Sequence, residues 1–424
     1  MFITYGNLWI TEDVFKEKYC FNNLITEYNY HIPDFSEHTR YLEHIQTLPE
    51  KDNPLIFGLN GNADLTYRLK ESGEMITVLV DTMPKDSGGS SGKSLEEEVK
   101  EKLQNELIKI LPADFIEVDV EEKLRTLRGP KSLSDTGKNI PLNVFLFQEI
   151  QRLQNVLEIV RTTMTNMVLA IDGQIIMTPL LVDCIAATAD FRVPKNFQYD
   201  PTGVEISWLT PSLAGWLKGL VDRHHQLNNW LTSQNRERPP SFWLTGFFNP
   251  QGFLTSMKQE VTRQHRNEKW SLDEVDYKTD VMKEIIPGDD GRIEGKQIKS
   301  VDEGVLIHGL YLEGSQWHKN DKRFEEQTSK DLFFPFPIIH VSAESTNKEL
   351  MDKAASKKAD AGNKDKTHFF TPVYKYPKRN DKYLIFRCYL KAEGPAGQKQ
   401  QIPTGMTAVM NWKLKGVCLL CCKE

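Results

Sequence analysis

Residues 141–171, PLNVFLFQEIQRLQNVLEIVRTTMTNMVLAI, carry the strongest periodic pattern in the chain. Large apolar side chains recur there every three or four residues, which is the period of one face of an α-helix. Pro141 opens the stretch, and the fixed φ of proline suits the first turn of a helix. The pattern predicts a single helix about 45 Å long at 1.5 Å per residue. A helix of that length is expected to run along a domain or between two domains.

Helical periodicity continues on both sides of this stretch. Apolar residues recur every four positions over 95–111, and three glutamates at 96–98 lie in the first turn, where the helix dipole favours acids. Further helices are expected over 179–189, 211–232 and 250–265.

From residue 304 onward the period changes from 3.6 to two, which indicates strands. The predicted strands cover 305–312, 337–343, 369–376, 382–391 and 407–422. The sequence therefore predicts an α+β fold in which helices precede an antiparallel sheet or small barrel. The predicted divisions are a compact segment 1–82, a Gly/Ser linker 83–94, a helical part 95–303 and a strand part 304–424.

Composition limits the classes of protein that fit. The 424 residues are 39% hydrophobic and 26% charged, which is enough for a packed core and suggests two or three domains. The net charge of −6 gives no basic excess for binding nucleic acid. Asp172 and Asp183 interrupt the most apolar stretch, so no membrane span is predicted. Six cysteines are too few for a disulfide scaffold, and we expect an intracellular chain with reduced thiols.

The segment SGGSSGKS, residues 87–94, has some features of a phosphate-binding loop. Gly92, Lys93 and Ser94 stand just before a predicted helix, where backbone N–H groups can bind phosphate. That pattern requires Gly six residues before the lysine, and this chain has Ser87 there. The three following glutamates also oppose a triphosphate. A linker is favoured, and no cofactor site is predicted, although a nucleotide-binding enzyme using Lys93 remains an alternative.

No catalytic group or metal site can be assembled from the remaining motifs. His224 and His225 are adjacent on a helix and point about 100° apart, which makes shared metal ligation awkward. Cys418, Cys421 and Cys422 have partial zinc-type spacing, but no second half of such a site follows or precedes them.

Residues 242–255, FWLTGFFNPQGFLT, predict a helix–loop–helix corner, in which Asn249 caps a helix that starts at Pro250. With MKQEVTR at 257–263, this run resembles the C-terminal region of dynein heavy chains, and most closely the axonemal outer-arm gamma type. Other segments resemble the family in the same order. They are YGN at 5–7, FGLNGNAD at 57–64, NVFLFQEI at 143–150, IHGLYLEG at 307–314 and PVY at 372–374. Asn60 and Gly61 stand where the family has His-Pro.

This resemblance implies an architecture. Residues 1–82 would be the small subdomain of the sixth AAA+ module of the motor ring. Residues 95–303 would be the helical part of the dynein C-terminal domain, and residues 304–424 its β-barrel part. The chain would then be a non-catalytic part of a minus-end-directed microtubule motor, and the full-length motor would bind ATP and Mg²⁺ elsewhere in its ring.

The resemblance also implies partners and a location. The partners would be the remaining AAA+ ring, dynein intermediate and light chains, and microtubules, with neither nucleic acid nor membrane. The location would be the cytoplasm, the cytoskeleton and the ciliary or flagellar axoneme.

The predicted mechanism is mechanical: the module closes and stiffens the ring by docking onto it. The predicted docking residues come from the long helix and the corner, and they are Phe145, Ile150, Leu153, Leu157, Trp243, Phe247, Phe248, Asn249 and Pro250. A second alternative, besides the nucleotide-binding enzyme, is a stand-alone adaptor that keeps the dynein C-terminal fold.

Overall fold

The structure, a computed structural model, describes fourteen stretches of the chain. They are residues 37–47, 63–82, 94–130, 136–210, 212–233, 236–282, 292–293, 296–297, 301–318, 320–325, 332–346, 368–377, 379–392 and 407–422. The motifs at 5–7 and 57–62 and the predicted linker as far as Lys93 lie outside these residues.

Ten α-helices of at least four residues lie within these residues. They are α1 (His38–Thr47), α2 (Ala63–Thr82), α3 (Leu95–Lys102), α4 (Glu117–Thr126), α5 (Pro141–Ile171), α6 (Pro179–Ala189), α7 (Lys195–Gln198), α8 (Leu213–Leu231), α9 (Pro250–Gln264) and α10 (Ala408–Leu414). The predicted 31-residue helix is confirmed as α5, with Pro141 in its first turn. α3 passes into a π-helical turn, Leu103–Leu107, before a last α-helical turn.

Helix α5 is the centre of the helical part. Helices α3, α4, α6, α7, α8 and α9 all pack against it. Its apolar stripe is buried, from Leu142 through Leu153 to Met167. Its solvent side carries polar residues, among them Gln148, Gln151, Asn155, Glu158 and Thr162. A helix with this division of side chains is stabilised mainly by the tertiary packing of its apolar face.

The strands form two larger sheets and two hairpins. The strands are β1 (Phe242–Trp243), β2 (Val275–Val281), β3 (Arg292–Ile293), β4 (Lys296–Gln297), β5 (Val305–His308), β6 (Tyr311–Glu313), β7 (Gln316–His318), β8 (Arg323–Glu325), β9 (Phe333–Pro335), β10 (Ile339–Ser345), β11 (His368–Tyr374), β12 (Leu384–Lys391) and β13 (Cys418–Leu420). The four-stranded sheet has the order β1-β5-β10-β2, and the five-stranded sheet has the order β12-β11-β13-β6-β9.

The α+β class is confirmed, but a closed antiparallel barrel is not. Strands β1 and β5 pair in parallel, and so do β11 and β13, whereas the other pairs within the two larger sheets are antiparallel. Both larger sheets are thus mixed, and neither closes on itself within the described residues. The cause is long-range pairing: β1 belongs to the corner before α9, and the late strand β13 lies between β11 and β6.

Two predicted strands are also divided. The run 305–312 splits into β5 and β6 at Gly309, which has φ of +83°. A Cβ at Gly309 would lie 2.3 Å from Cδ1 of Trp243, so the backbone approaches that ring closely. The prediction of one strand over 407–422 is wrong, because Thr407 caps helix α10 by accepting the N–H of Met410, and only Cys418–Leu420 is extended.

Helices and sheets share one hydrophobic core. A single contiguous cluster of buried residues includes Leu153 of α5, Phe253 of α9, Ile307 of β5 and Val373 of β11. Strands β1 and β2 precede Gly304, the predicted boundary, so the sheet part draws strands from both sides of it.

Candidate functional site

The corner between β1 and α9 is where the long helix meets the sheets. Asn249 caps α9, and its Oδ1 accepts the N–H of Gly252 at 3.0 Å. Just before the cap, Glu149 of α5 accepts the N–H of Phe248 at 2.6 Å and that of Asn249 at 3.2 Å. One carboxylate therefore satisfies two backbone donors at the corner and holds α9 to the first third of the long helix.

Glu149 has no exposed surface. Its Oε1 also accepts a hydrogen bond from Nη1 of Arg152 at 3.0 Å. Burial raises the pKa of the Glu149 carboxyl, although the N–H groups of Phe248 and Asn249 and the charge of Arg152 act in the opposite direction. A buried carboxylate with three donors around it is a structural anchor for this corner.

The other end of the corner is fixed to the sheets and to α8. Gln226 of α8 accepts the N–H of Trp243 at 2.8 Å and donates to the carbonyl of Trp243 at 3.2 Å. The hydroxyl of Thr245 lies 2.7 Å from the carbonyl of Cys421 and 3.1 Å from that of Gly309. Gly309 follows β5 and Cys421 follows β13, so Thr245 connects the corner to the junction of the two larger sheets.

Six of the nine residues predicted to dock on a ring are buried in the core of this chain, and five of these six are almost completely buried. Phe145, Ile150, Leu153, Leu157 and Phe247 have at most 3% of their surface exposed. The rings of Phe145 and Phe247, for example, meet edge to face at a centroid distance of 5.1 Å. These five side chains hold the helices of this chain together, so they provide no surface for a second body.

The other four predicted residues also form the corner. Pro250 is also buried, Trp243 and Phe248 are partly exposed, and Asn249 is exposed. Contact between these three and a ring module stays a prediction.

The weak phosphate-loop pattern can be followed only at its last residue, because Gly92 and Lys93 lie outside the described part. Ser94 is the N-cap of α3: its hydroxyl accepts the N–H of Glu97, and its own N–H donates to the carboxylate of Glu97. This reciprocal capping box occupies the Ser94 hydroxyl. Among the described residues, no group of three or more His, Cys, Asp or Glu side chains could hold a metal ion. No helix in that part of the chain is long and apolar enough to cross a membrane.

Several anchoring residues escaped the sequence analysis. They are charged or polar side chains on the apolar faces of helices: Glu149 on α5, Arg223 on α8 and Glu260 on α9. Arg238 donates a hydrogen bond from each terminal nitrogen to one carboxylate oxygen of Glu260, both at 2.5 Å, and this bidentate pair is largely buried. The sequence position of Glu149 could have revealed its role. It lies four residues from both Phe145 and Leu153, so its side chain is on the same helix face and points toward the core.

Comparison with known families gives this architecture a context. The family model described as the C-terminal domain of the dynein heavy chain matches residues 69–421. The chain belongs to this dynein family. The match starts inside α2 and runs through β13, so it includes the corner, α5 and both larger sheets.

Curated relatives agree with the family assignment. The chain is 34% identical over 422 residues to dynein axonemal heavy chain 5 of Mus musculus, covering 99% of this chain and 8% of that protein. It is 33% identical over 420 residues to dynein axonemal heavy chain 8 of Homo sapiens, covering 98% of this chain and 8% of that protein. It is 38% identical over 314 residues to the dynein gamma chain, flagellar outer arm, of Chlamydomonas reinhardtii, covering 74% of this chain and 6% of that protein. The dynein-type chain thus spans less than a tenth of the length of these relatives.

Proposed function

We propose that this chain is the C-terminal, non-catalytic module of an axonemal dynein heavy chain, a minus-end-directed microtubule motor. In this proposal residues 1–82 belong to the small subdomain of the sixth AAA+ module, and the remainder is the C-terminal domain. ATP and Mg²⁺ act elsewhere in the full motor. The location is the ciliary or flagellar axoneme, and the partners are the remaining ring, intermediate and light chains and microtubules.

The observation that carries the mechanical role is the bracing of the corner. Glu149 joins α5 to α9, and Thr245 joins the same corner to the junction of the sheets. The helices and sheets also share a continuous core. Close-packed protein interiors transmit displacement instead of absorbing it. A braced module of this kind suits the role of stiffening a ring, so that ATP-driven changes reach the rest of the motor coherently.

We place the ring contact on α2 instead of on the buried stripe of α5. Tyr67, Leu69, Met75 and Ile76 of α2 are each more than half exposed. Leu69 and Ile76 are seven residues apart and therefore lie on the same face of the helix. Most of the length of the relatives lies outside the segment that matches this chain. The proposed cover for this apolar face is the neighbouring ring module of the same heavy chain.

The test uses a complete axonemal heavy chain with this sequence as its C-terminal part. Removal of residues 304–424 is expected to lower gliding velocity or stall force while leaving the affinity for ATP unchanged. Thr245→Val, which loosens the corner, should do the same to a smaller extent. The matched control is Thr165→Val, since Thr165 is exposed on α5 and bonds only to its own helix. Unchanged velocity and force after the removal would contradict the proposal.

The ring contact has a separate test in the same heavy chain. Ile76→Glu should reduce motility without destabilising the isolated 424-residue chain, because Ile76 is 60% exposed. Val118→Glu on α4, at a position that is 74% exposed, is the control. Equal motility of the two variants would remove α2 from the ring contact.

Two other functions make different predictions. A stand-alone adaptor would be translated from a transcript that contains only this sequence, whereas a motor part requires a transcript that continues upstream. A nucleotide-binding enzyme would bind Mg·ATP saturably, and Lys93→Ala would abolish that binding. The reciprocal cap of Ser94 favours the non-catalytic reading, in which neither the chain nor the variant binds Mg·ATP.

A further inference from the structure

A cavity of about 380 Å³ lies beside the corner, between α8, the corner itself and the end of β13. This volume falls within the range of about 300–1,000 Å³ that is typical of small-molecule sites. Its walls are largely aromatic, formed by Trp208, Trp243, Phe248 and Tyr376. Three cations and one carboxylate also line it: Lys218, Arg223, Lys375 and Asp222.

Arg223 is the unusual group in this cavity. Only 6% of its surface is exposed. Its Nη1 donates to the carbonyl of Gly219 at 3.0 Å, and its Nη2 donates to the carbonyl of Thr245 at 3.2 Å. Within the described parts of the chain, no carboxylate forms an ion pair with it. Both of its partners are therefore neutral, whereas buried charges in proteins are normally paired with an opposite charge.

Asp222 and Glu149 favour the charged form of Arg223 through their charges, but neither forms an ion pair with it in the described residues. Lys375 is paired with Glu205 at 3.4 Å, and Glu205 also accepts the hydroxyl of Tyr376 at 2.6 Å. Asp222 is exposed on α8, and Lys218 is exposed at the edge of the cavity. Burial lowers the pKa of Arg223 to about 10, so the guanidinium stays charged at neutral pH. The cavity thus presents a positive charge that no carboxylate of the described residues contacts directly.

The aromatic walls are held in place around this charge. The guanidinium carbon of Arg223 lies 3.9 Å from the ring centroid of Trp208 and 5.2 Å from that of Trp243. Trp208 stacks on Trp216 at 4.8 Å, with an angle of 12° between the rings. The buried Nε1 of Trp208 has no hydrogen-bond partner in the described residues. A fixed cation beside flat apolar walls and an unused donor suits a ligand with an acidic group on an aromatic body.

We propose that this cavity binds a small organic anion. A carboxylate or phosphate of the ligand pairs with Arg223, and Lys218 adds attraction at the edge. The flat part of the ligand lies against Trp243 and Phe248, which are only partly buried. This inference does not depend on the proposed motor function, since it concerns a site within the chain itself.

The test is titration of the purified 424-residue chain with four probes, followed by calorimetry and tryptophan fluorescence. Benzoate and phenyl phosphate are expected to bind saturably with one ligand per chain. Inorganic phosphate should bind at least about tenfold more weakly because it lacks the aromatic body. Benzyl alcohol should not bind measurably because it lacks the charge. Comparison of benzoate with phenyl phosphate shows which acidic group the site prefers.

Several variants test whether Arg223 binds the anion, so the result does not depend on substituting one buried residue. Arg223→Met is expected to abolish binding, and its fold is checked by circular dichroism. Lys218→Met leaves the core untouched and should weaken binding about three- to tenfold, in line with a partly exposed charge contact. Gly219→Ala places a Cβ 2.9 Å from Nη1 of Arg223 and 3.0 Å from Nε1 of Trp208, and should also weaken binding. Lys123→Met, on α4, is the control and should bind as the wild type does.

Three outcomes would overturn the proposal. The first is no saturable binding of either aromatic anion by the folded chain. The second is benzyl alcohol binding as tightly as benzoate, which would make the cavity an apolar pocket. The third is equal binding by Lys218→Met, Gly219→Ala and the Lys123→Met control.

Discussion

In the helical part of the molecule, α5 runs for 31 residues and six other helices pack on it, whereas β12, the longest strand described, has eight residues. The hydrogen bonds of α5 form between residues four apart in sequence. The sheets, by contrast, depend on pairs such as β1 with β5, in which Phe242 lies opposite Ile307. The helical part is therefore built from local contacts, while the sheet part needs distant segments to be brought together first.

The two parts are joined by a shared core and by a few polar contacts at the corner. Because the two parts are built differently, different substitutions are expected to destabilise them. The helical part should be most sensitive to loss of packing on α5. The sheet part should be sensitive also to loss of the hydrogen bonds that position β1, β6 and β13.

The largest expected effects come from cavities in the shared core. Leu153 on α5 and Ile307 on β5 are both fully buried. We expect Leu153→Ala and Ile307→Ala each to lower the free energy of unfolding by about 2–5 kcal/mol. If the core is continuous, both variants shift one and the same unfolding transition in urea. The transition is measured by far-UV circular dichroism and by tryptophan fluorescence. Ile176→Ala, at a position that is 86% exposed, is the control and should change stability by less than about 0.5 kcal/mol.

Two separate unfolding transitions would contradict a single continuous core. If Ile307→Ala shifted only one of them, the sheet part would unfold independently of α5. The comparison would then be between two folding units and not between two parts of one unit.

The same difference explains how much of the fold could be predicted. The bounds of α5 and α6 follow from local periodicity and proline at the first turn, and both were predicted to the residue. The sheet order could not be predicted, because nothing local to Phe242 indicates that it pairs with Ile307 more than sixty residues later. Helix α10 was missed because its buried Trp412 and apolar neighbours resemble a strand when only alternation is considered.

The next effect concerns the contact between α5 and the corner. Glu149→Gln should lower the free energy of unfolding by about 1–3 kcal/mol, because an amide cannot accept at both of its terminal atoms and leaves one buried N–H without an acceptor. The change is measured by urea unfolding at neutral pH. Glu158→Gln on the exposed side of α5 is the matched control. Equal stability of the two variants would show that Glu149 is not an anchor.

Glu149 also illustrates what could be predicted of the candidate site. The motif containing it was recognised, and Asn249 caps the helix that starts at Pro250, as predicted. The docking role of the nine candidate residues was predicted from the family resemblance together with the apolar stripe of the helix, and burial in this chain explains that stripe without a partner. The buried charges, Glu149 and Arg223, were more informative than the aromatic residues, since a charge on an apolar helix face requires a specific partner.

A smaller effect is expected where the corner meets the sheets. Thr245→Val removes the hydrogen bond shared with the carbonyls of Gly309 and Cys421 and should cost about 0.5–1.5 kcal/mol. Hydrogen exchange should accelerate in β6 and β13 and remain unchanged in α5. Thr165→Val, within α5, should leave exchange in both sheets unaltered. Faster hydrogen exchange in both α5 and the sheets would contradict this prediction, because it would show that loss of the Thr245 hydrogen bond destabilises the two parts equally.

The smallest effect should come from an ion pair on the surface of the helical part. Lys138 lies 2.5 Å from Glu121 of α4, and both side chains are more than a third exposed. The hydrogen bond and charge of Lys138 lower the pKa of Glu121 in the folded chain, so the pair stabilises the fold above the usual pKa of a glutamate. That contribution is lost as the pH falls through the lowered pKa. The wild type and Glu121→Gln should therefore differ slightly in urea midpoint near pH 7 and converge once the pH falls below the lowered pKa. Added salt should reduce the difference at neutral pH, because exposed pairs are screened. A difference that persisted in acid would have to come from packing of the Glu121 side chain instead of its charge.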